Sequence, residues 1–228
     1  MSVFDLYKKT IDDSFTNAEN NISKLTPDLL SMNGMSGIKT RHFYNNIFSM
    51  EGTRYLEIGT WMGSSTCAAM YGNKSSITCI DNWCELWGGI TNIKELFLEN
   101  FNKYKGENDA RYIESDCFKL DVSTLPKFNM YLYDGNHAEN NHILALTHYI
   151  SAMDDIFIYI VDDWNGAQEQ SGTRIAIKQL ELTVLYEREI ITPRQDGDTW
   201  WAGIYVAILQ KKTVENIQMK LSFIQEKN

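Results

Sequence analysis

The run Tyr55-Leu56-Glu57-Ile58-Gly59-Thr60-Trp61-Met62-Gly63-Ser64-Ser65 constrains this chain more than any other stretch. It reads as a short buried strand, a turn with two glycines, and a helix start rich in small residues. A backbone bent this sharply needs glycine where a side chain would clash, and it brings free amide N–H groups close to a ligand. Glu57, at the strand's end, argues against a phosphate there. A carboxylate repels a phosphate and pairs instead with an ammonium or a ribose hydroxyl. Taken alone, the turn fits equally the many α/β proteins that bind nothing at this position.

From Tyr55 onward strand and helix alternate, which predicts a doubly wound, mostly parallel α/β sheet. Strands are expected at 55–58, 76–80, 110–114, 128–133 and 156–161, with helices at 64–71, 91–104 and 138–153. Within 91–104, Ile93, Leu96, Phe97, Phe101 and Tyr104 make one apolar stripe, a core face. A polar loop and a helix from about Thr173 to Leu182 come next. Apolar runs Val184–Ile191 and Thr199–Gln210 then flank Pro193–Asp198, where Asp196-Gly197 is a hairpin signal. The expected sheet has seven strands and ends in an antiparallel hairpin.

Residues 1–50 form a separate N-terminal helical arm, 51–212 the main domain and 213–228 a tail, either a charged amphipathic helix or a frayed end. In the arm, Phe4, Tyr7 and Ile11 fall at helical spacing, and Thr26-Pro27-Asp28 opens a further helix with Pro at its first position. Met32–Gly37 has the composition of a mobile loop, and a helix from Ile38 to Phe48 follows. The arm is expected to cap one face of the main domain, either as packing or as a substrate lid.

Charge narrows the partners. Lys and Arg number 21 against 30 Asp and Glu, a net −9, which disfavours an electrostatic grip on nucleic acid or anionic lipid. Cys67, Cys79, Cys84 and Cys117 show neither C-x-x-C nor metal-finger spacing, so buried free thiols in a reducing compartment are expected. The N-terminus lacks a signal-peptide pattern and no apolar run reaches bilayer length, which places the chain in the cytoplasm as an expectation. Self-association is left open.

Ligands of open α/β sheets bind beyond the carboxyl ends of the strands, and every expected parallel strand here ends in or near an acid. They are Glu57, Asp81, Asp116, Asp134 and the pair Asp162-Asp163. Any single one is explained as well by capping the next helix; the whole series is not. Asp81, 22 positions after Gly59, is placed to hold ribose hydroxyls, and Asp116 to meet an adenine amino group. Trp83 either stacks on that ring or packs on the sheet edge, and the Cys117 N–H is a further ring contact. Asp134, Asp162 and Asp163 would repel one another unless a cation compensates them, and Mg²⁺ suits oxygen ligands of this kind. His137, three residues past Asp134, is either the general base for a hydroxyl or a helix cap.

Leu-Glu-Ile-Gly at 56–59, Asp-Gly-x-His at 134–137 and a strand ending in Asp162-Asp163 resemble the class I S-adenosylmethionine (SAM)-dependent methyltransferases. Within them the resemblance is to the metal-dependent, macrocin-type sugar O-methyltransferases, over about Met50 to Trp164 plus the hairpin. It implies SAM bound by Glu57, Gly59, Thr60, Gly63, Ser64, Asp81, Trp83, Asp116 and Cys117, and Mg²⁺ held by Asp134, Asp162 and Asp163. It implies His137, with Asp134, as the catalytic pair acting on a small-molecule hydroxyl, that of a sugar or glycosylated metabolite. The alternatives are a metal-independent small-molecule methyltransferase and a SAM-fold binding or assembly module without turnover. A nicotinamide oxidoreductase fits poorly, because Gly59–Gly63 lacks the tight G-x-G turn. Trp164, Trp200 and Trp201 either wall an acceptor pocket or serve packing or a dimer contact.

Overall fold

Strands β1 (Arg54–Ile58), β2 (Ser76–Asp81), β3 (Asp109–Glu114), β4 (Phe128–Tyr133), β5 (Met153–Asp162), β6 (Thr183–Ile190) and β7 (Ile204–Gln210) form one sheet in this computed structural model. The order is β3-β2-β1-β4-β5-β7-β6. Residues 1–85, 89–193 and 196–212 are described. The first five strands pair in parallel; β7 lies antiparallel between β5 and β6. The doubly wound sheet with a closing antiparallel hairpin is therefore as the alternation of segments implied.

Helices α1 (Val3–Glu19), α2 (Pro27–Leu30), α3 (Ile38–Ile47), α4 (Ser64–Met70), α5 (Ile93–Tyr104), α6 (Glu139–Tyr149) and α7 (Ala167–Gln179) cover the sheet. Because side chains alternate along a strand, Tyr55 and Leu56 go to opposite faces. Tyr55, Met130, Ile158 and Val206 pack with Phe15 of α1, Phe43 of α3 and Phe97 of α5. Leu56, Tyr131, Tyr159 and Ala207 pack with Leu146 of α6 and Ala176 of α7. The arm is thus part of one covering layer. Phe15 and Phe43 are fully buried, each contributing about 1.5–3 kcal/mol through the apolar area it removes from water.

The arm's loop is held in place, contrary to the mobility its composition suggested. Arg41, 3% exposed, donates to the carbonyls of Leu29, Leu30, Met32, Gly34 and Ser36. A buried guanidinium must have its donors satisfied, and a curved run of carbonyls does so. The same loop is zipped to the segment before β7. Ile38 N–H donates to Gly197 O at 2.7 Å and Lys39 N–H to Thr199 O at 3.2 Å. Trp200 is buried against Phe15 and Phe43, with its indole N–H on Glu19 at 2.8 Å.

Four boundaries differ from the sequence reading. α1 carries on through Asn17 to Glu19, after a Ser2–Asp5 capping box that secures its start. α6 ends at Tyr149, and a short 3-10 turn leads into β5 at Met153. α7 starts at Ala167, ahead of Thr173, with Gly166 as its cap. β7 starts at Ile204: residues 199–203 form a turn, with left-handed backbone at Trp201 (φ 57°) and Gly203 (φ 86°). The tail 213–228 lies outside the described residues.

At Gly37 an added Cβ would sit 1.9 Å from the Thr199 carbonyl oxygen, whereas one at Gly197 meets nothing within 4 Å. Gly37→Ala is expected to lower stability by about 1–3 kcal/mol and Gly197→Ala to stay within about 0.5 kcal/mol of the wild type. Urea denaturation of the two variants reads this directly. Equal losses would mean that the seam between arm and hairpin is not a tight contact.

Candidate functional site

The parallel register sets the carboxyl ends of β2, β1, β4 and β5 side by side, and a cavity of 780 Å³ opens above them. Gly59 makes this rim possible. Its φ is +83°, and an added Cβ would lie 1.9 Å from the Asp134 carbonyl oxygen. Only glycine permits both the left-handed turn and the approach of two strand ends.

Of the expected cofactor residues, Gly59, Asp81, Trp83, Asp116 and Cys117 line the cavity. Glu57, Thr60, Gly63 and Ser64 do not. Glu57 is fully buried and accepts hydroxyls from Tyr55 (2.8 Å), Ser65 (2.5 Å) and Thr66 (2.8 Å). Burial raises its pKa to about 7 even though these hydroxyls oppose the shift. Those three hydroxyls tie it to its own strand and to the start of α4. The amides of the turn are also not free as expected. Thr60 and Trp61 N–H both donate to Asp81 Oδ2, at 2.7 and 2.9 Å, which ties the glycine turn to the end of β2. Thr60 adds its hydroxyl to the same oxygen. Gly63 is the left-handed cap of α4, and the Ser64 hydroxyl lies 3.2 Å from that of Ser36.

On the β2–β3 side, Trp83 N–H binds Asp81 Oδ1 at 2.7 Å, and its indole N–H reaches Trp61 O at 3.0 Å. Its ring packs on Phe97 and Tyr112 while still bordering the cavity. Asp116 binds Lys119 at 3.1 Å and the Phe118 N–H at 3.1 Å, which hold its pKa below the usual carboxylate value. Burial pushes the Cys117 thiol up to about 12, so it is no nucleophile. Cys67 and Cys79 are buried free thiols.

At the β4–β5 end, Asp134, His137 and Asp163 line the cavity and Asp162 does not. Burial, followed by repulsion from Asp162 and Asp163, raises the Asp134 pKa. Asp162 is 4% exposed and is raised to about 8, first by burial and then by Asp163. Its two oxygens already accept hydrogen bonds, Oδ2 from the Tyr44 hydroxyl (3.2 Å) and Oδ1 from the Asp163 N–H (3.0 Å). Asp162 also stays outside the cavity lining, so the three aspartates of the Mg²⁺ site implied by the sequence do not line it together. Among the described residues no group of three His, Cys, Asp or Glu side chains is arranged to hold a metal ion.

Instead, His137 is gripped on both sides. Nδ1 lies 3.0 Å from Glu169 Oε1 and Nε2 lies 3.4 Å from Asp163 Oδ2. Glu169, in the first turn of α7, folds back over Gly166, where an added Cβ would be 1.8 Å from its carboxylate. The sequence reading missed Glu169 because it placed 164–172 in a loop. A glutamate three residues after a capping glycine is a helix-start signal that could have found it.

Backbone strain gathers here as well. Among the described residues, six that are not glycine have left-handed backbone, and Trp61, Trp83, Asp163 and Trp201 of these line the cavity. Each such residue costs of order 1–3 kcal/mol and persists only where its surroundings impose it. Of the three tryptophans proposed as a wall, Trp201 alone lines the cavity. Trp164 is buried in a stack on Tyr205 with centroids 4.3 Å apart, and Trp200 belongs to the core beneath the arm.

No protein-family model matches the chain, and no curated protein matches it in sequence. Solved structures do match in fold. An O-methyltransferase from Bacillus cereus in complex with S-adenosylhomocysteine (SAH) superimposes with TM-score 0.53 at 11% identity, over 90% of this chain and 91% of that one. An SAH-bound methyltransferase from Podospora anserina gives 0.52 at 12% identity, over 90% and 88%. Cofactor-bound Rv0187 from MTB gives 0.51 at 13% identity, over 88% and 91%. The chain has the class I SAM-dependent methyltransferase fold. Among the described residues no helix is long and apolar enough to cross a membrane.

The raised pKa of Glu57 sets a pH dependence. The folded state holds this proton more tightly than the unfolded chain, from the ordinary 4.5 up to about 7. Its contribution to stability is therefore full at low pH and is lost as pH rises through about 7. Glu57→Gln, neutral at every pH, is expected to remove a slope of the order of 3 kcal/mol between about pH 4.5 and 8. Urea midpoints for wild type and variant across that window check it. Identical slopes would show that Glu57 is not a buried, protonated group.

Proposed function

We propose that this chain is a SAM-dependent O-methyltransferase acting on the hydroxyl of a small molecule, with a sugar or glycosylated metabolite as the acceptor class. The observation that carries the reading is His137, held between Glu169 and Asp163 at the rim of a cavity whose other end is bordered by Gly59 and Asp81.

The residues fit the cofactor. The cavity has a volume suited to a ligand of that size. Asp81 has acceptor capacity left on Oδ1 beyond the Trp83 N–H, enough for a ribose hydroxyl. Trp83 and the Cys117 backbone border the same region and would flank a purine. When bound, SAM supplies a methyl group on a sulfonium, an electrophile that needs an oxygen nucleophile in line.

His137 prepares that oxygen. With Glu169 accepting from Nδ1–H, Nε2 is the ring atom left to take the proton from the acceptor hydroxyl. Asp163, 3.4 Å from Nε2, stabilises the imidazolium that results. Asp134, its pKa raised by burial and then by Asp162 and Asp163, faces the same space and orients the acceptor. In this reading deprotonation falls to His137, and the magnesium-assisted form is set aside because no group of three His, Cys, Asp or Glu side chains among the described residues is arranged to hold a metal ion.

Saturating SAM is expected to raise the melting temperature by several degrees while NAD leaves it unchanged. His137→Ala should keep that shift and lose about 10²–10⁴-fold in kcat on a hydroxyl panel. Glu169→Gln should lose less, about tenfold, because it only sets the tautomer. Turnover that stops with EDTA and returns with Mg²⁺ would restore the metal mechanism. SAM binding without transfer to any hydroxyl would support the binding-module alternative.

A further inference from the structure

Two apolar side chains at the cavity are not used by the chemistry above: Met35 from the arm and Trp201 from the turn before β7. Met35 is 44% exposed although Ser36 and Gly37 beside it are buried. Both flanks of Met35 are clamped. On one, Gly34 touches Ser64 so closely that an added Cβ would be 2.4 Å from it, and Ser36 meets the same serine. On the other, an added Cβ at Gly37 would be 2.9 Å from the Trp201 nitrogen. The loop that carries Met35 therefore runs from the start of α4 to the backbone of Trp201.

Trp201 in turn lines the same cavity as the proposed base. Its neighbour Ala202 accepts from Asn165 N–H at 2.8 Å, and Gly203 accepts from Trp164 N–H at 3.4 Å. The Trp201 turn thus runs against the residues that follow Asp163. Its carbonyl also accepts the Thr192 hydroxyl at 2.5 Å, which helps hold the left-handed backbone. A thioether and an indole, each on a backbone segment fixed by its neighbours, give the cavity that His137 lines two apolar faces. The cavity is also lined by Asp81, Glu85, Asp116, Asp134 and Asp163, and by no Lys or Arg among the described residues. A negatively charged acceptor would be repelled there.

We propose that Met35 and Trp201 form the acceptor-facing wall and select a hydroxylated acceptor with an apolar ring face and no negative charge. This rests on the methyltransferase reading and adds which residues choose the acceptor. Arg41 is a positioning residue for the wall, since its five carbonyl contacts shape the loop that carries Met35.

The test uses the full chain saturated with SAH and three probes read by saturation-transfer NMR. Phenyl β-glucoside has the ring face, phenyl β-glucuronide adds a carboxylate to it, and glycerol keeps hydroxyls without a face. The wild type is expected to bind the glucoside at least about tenfold more tightly than either of the others. Trp201→Ala and Met35→Ala should each weaken the glucoside by about fivefold or more while SAH affinity stays within about twofold. Met35 is exposed, so its variant folds even if the tryptophan variant does not. Equal binding of glucuronide and glucoside, no binding of any probe, unchanged affinity in Met35→Ala, or a parallel loss of SAH binding each overturn the wall. A wild type that fails to bind SAH overturns the methyltransferase reading along with it.

Discussion

Parallel register forces acidic side chains together. Ile58 pairs with Ile80 and Tyr133, and Tyr133 pairs with Val161, so the residues that follow these strands emerge along one line. Gly59, Asp81, Asp134 and Asp162 occupy that line. Several carboxylates in a poorly solvated space repel one another, and each must find donors or keep its proton.

The fold answers this repulsion differently at each strand. Glu57 is surrounded by three hydroxyls and held near neutrality. Asp81 takes the amides of the glycine turn, and so becomes the clasp that gives that turn its shape. Asp162 takes the Tyr44 hydroxyl from α3, which couples the arm to the floor of the site. Asp163 and Glu169 share His137. Asp134 is left facing the cavity. Out of one electrostatic problem come a rigid floor, a shaped turn, a docked arm and an oriented imidazole.

The same segments carry the strain. Trp61, Trp83, Asp163 and Trp201 hold left-handed backbone at the cavity because neighbouring hydrogen bonds impose it, from Asp81 on the first two and from the Asn165 and Thr192 contacts beside the last two. A rim held this way has little freedom to lose on binding. The arm contributes to the preformed state through Arg41 and the Gly37 seam, so it is as much part of the site as the strands are.

Sequence alone was enough for the alternation of strands and helices, the Gly59 turn and the series of strand-end acids, because these depend on local backbone preference and on the period of burial. It also singled out Asp134, His137 and Asp163, since residues just beyond parallel strands have little choice of location. It did not reveal that Glu57 points inward, that Asp162 spends its oxygens on Tyr44 and a backbone amide, or that Trp200 and Trp201 part ways between core and cavity. Glu169, 32 positions from His137, and Met35, brought to the cavity that Trp201 also lines, were beyond it for the same reason. Local pattern says which residues reach the rim of a sheet. Which donor each carboxylate finds depends on segments far apart in the chain, and only packing in three dimensions brings those together.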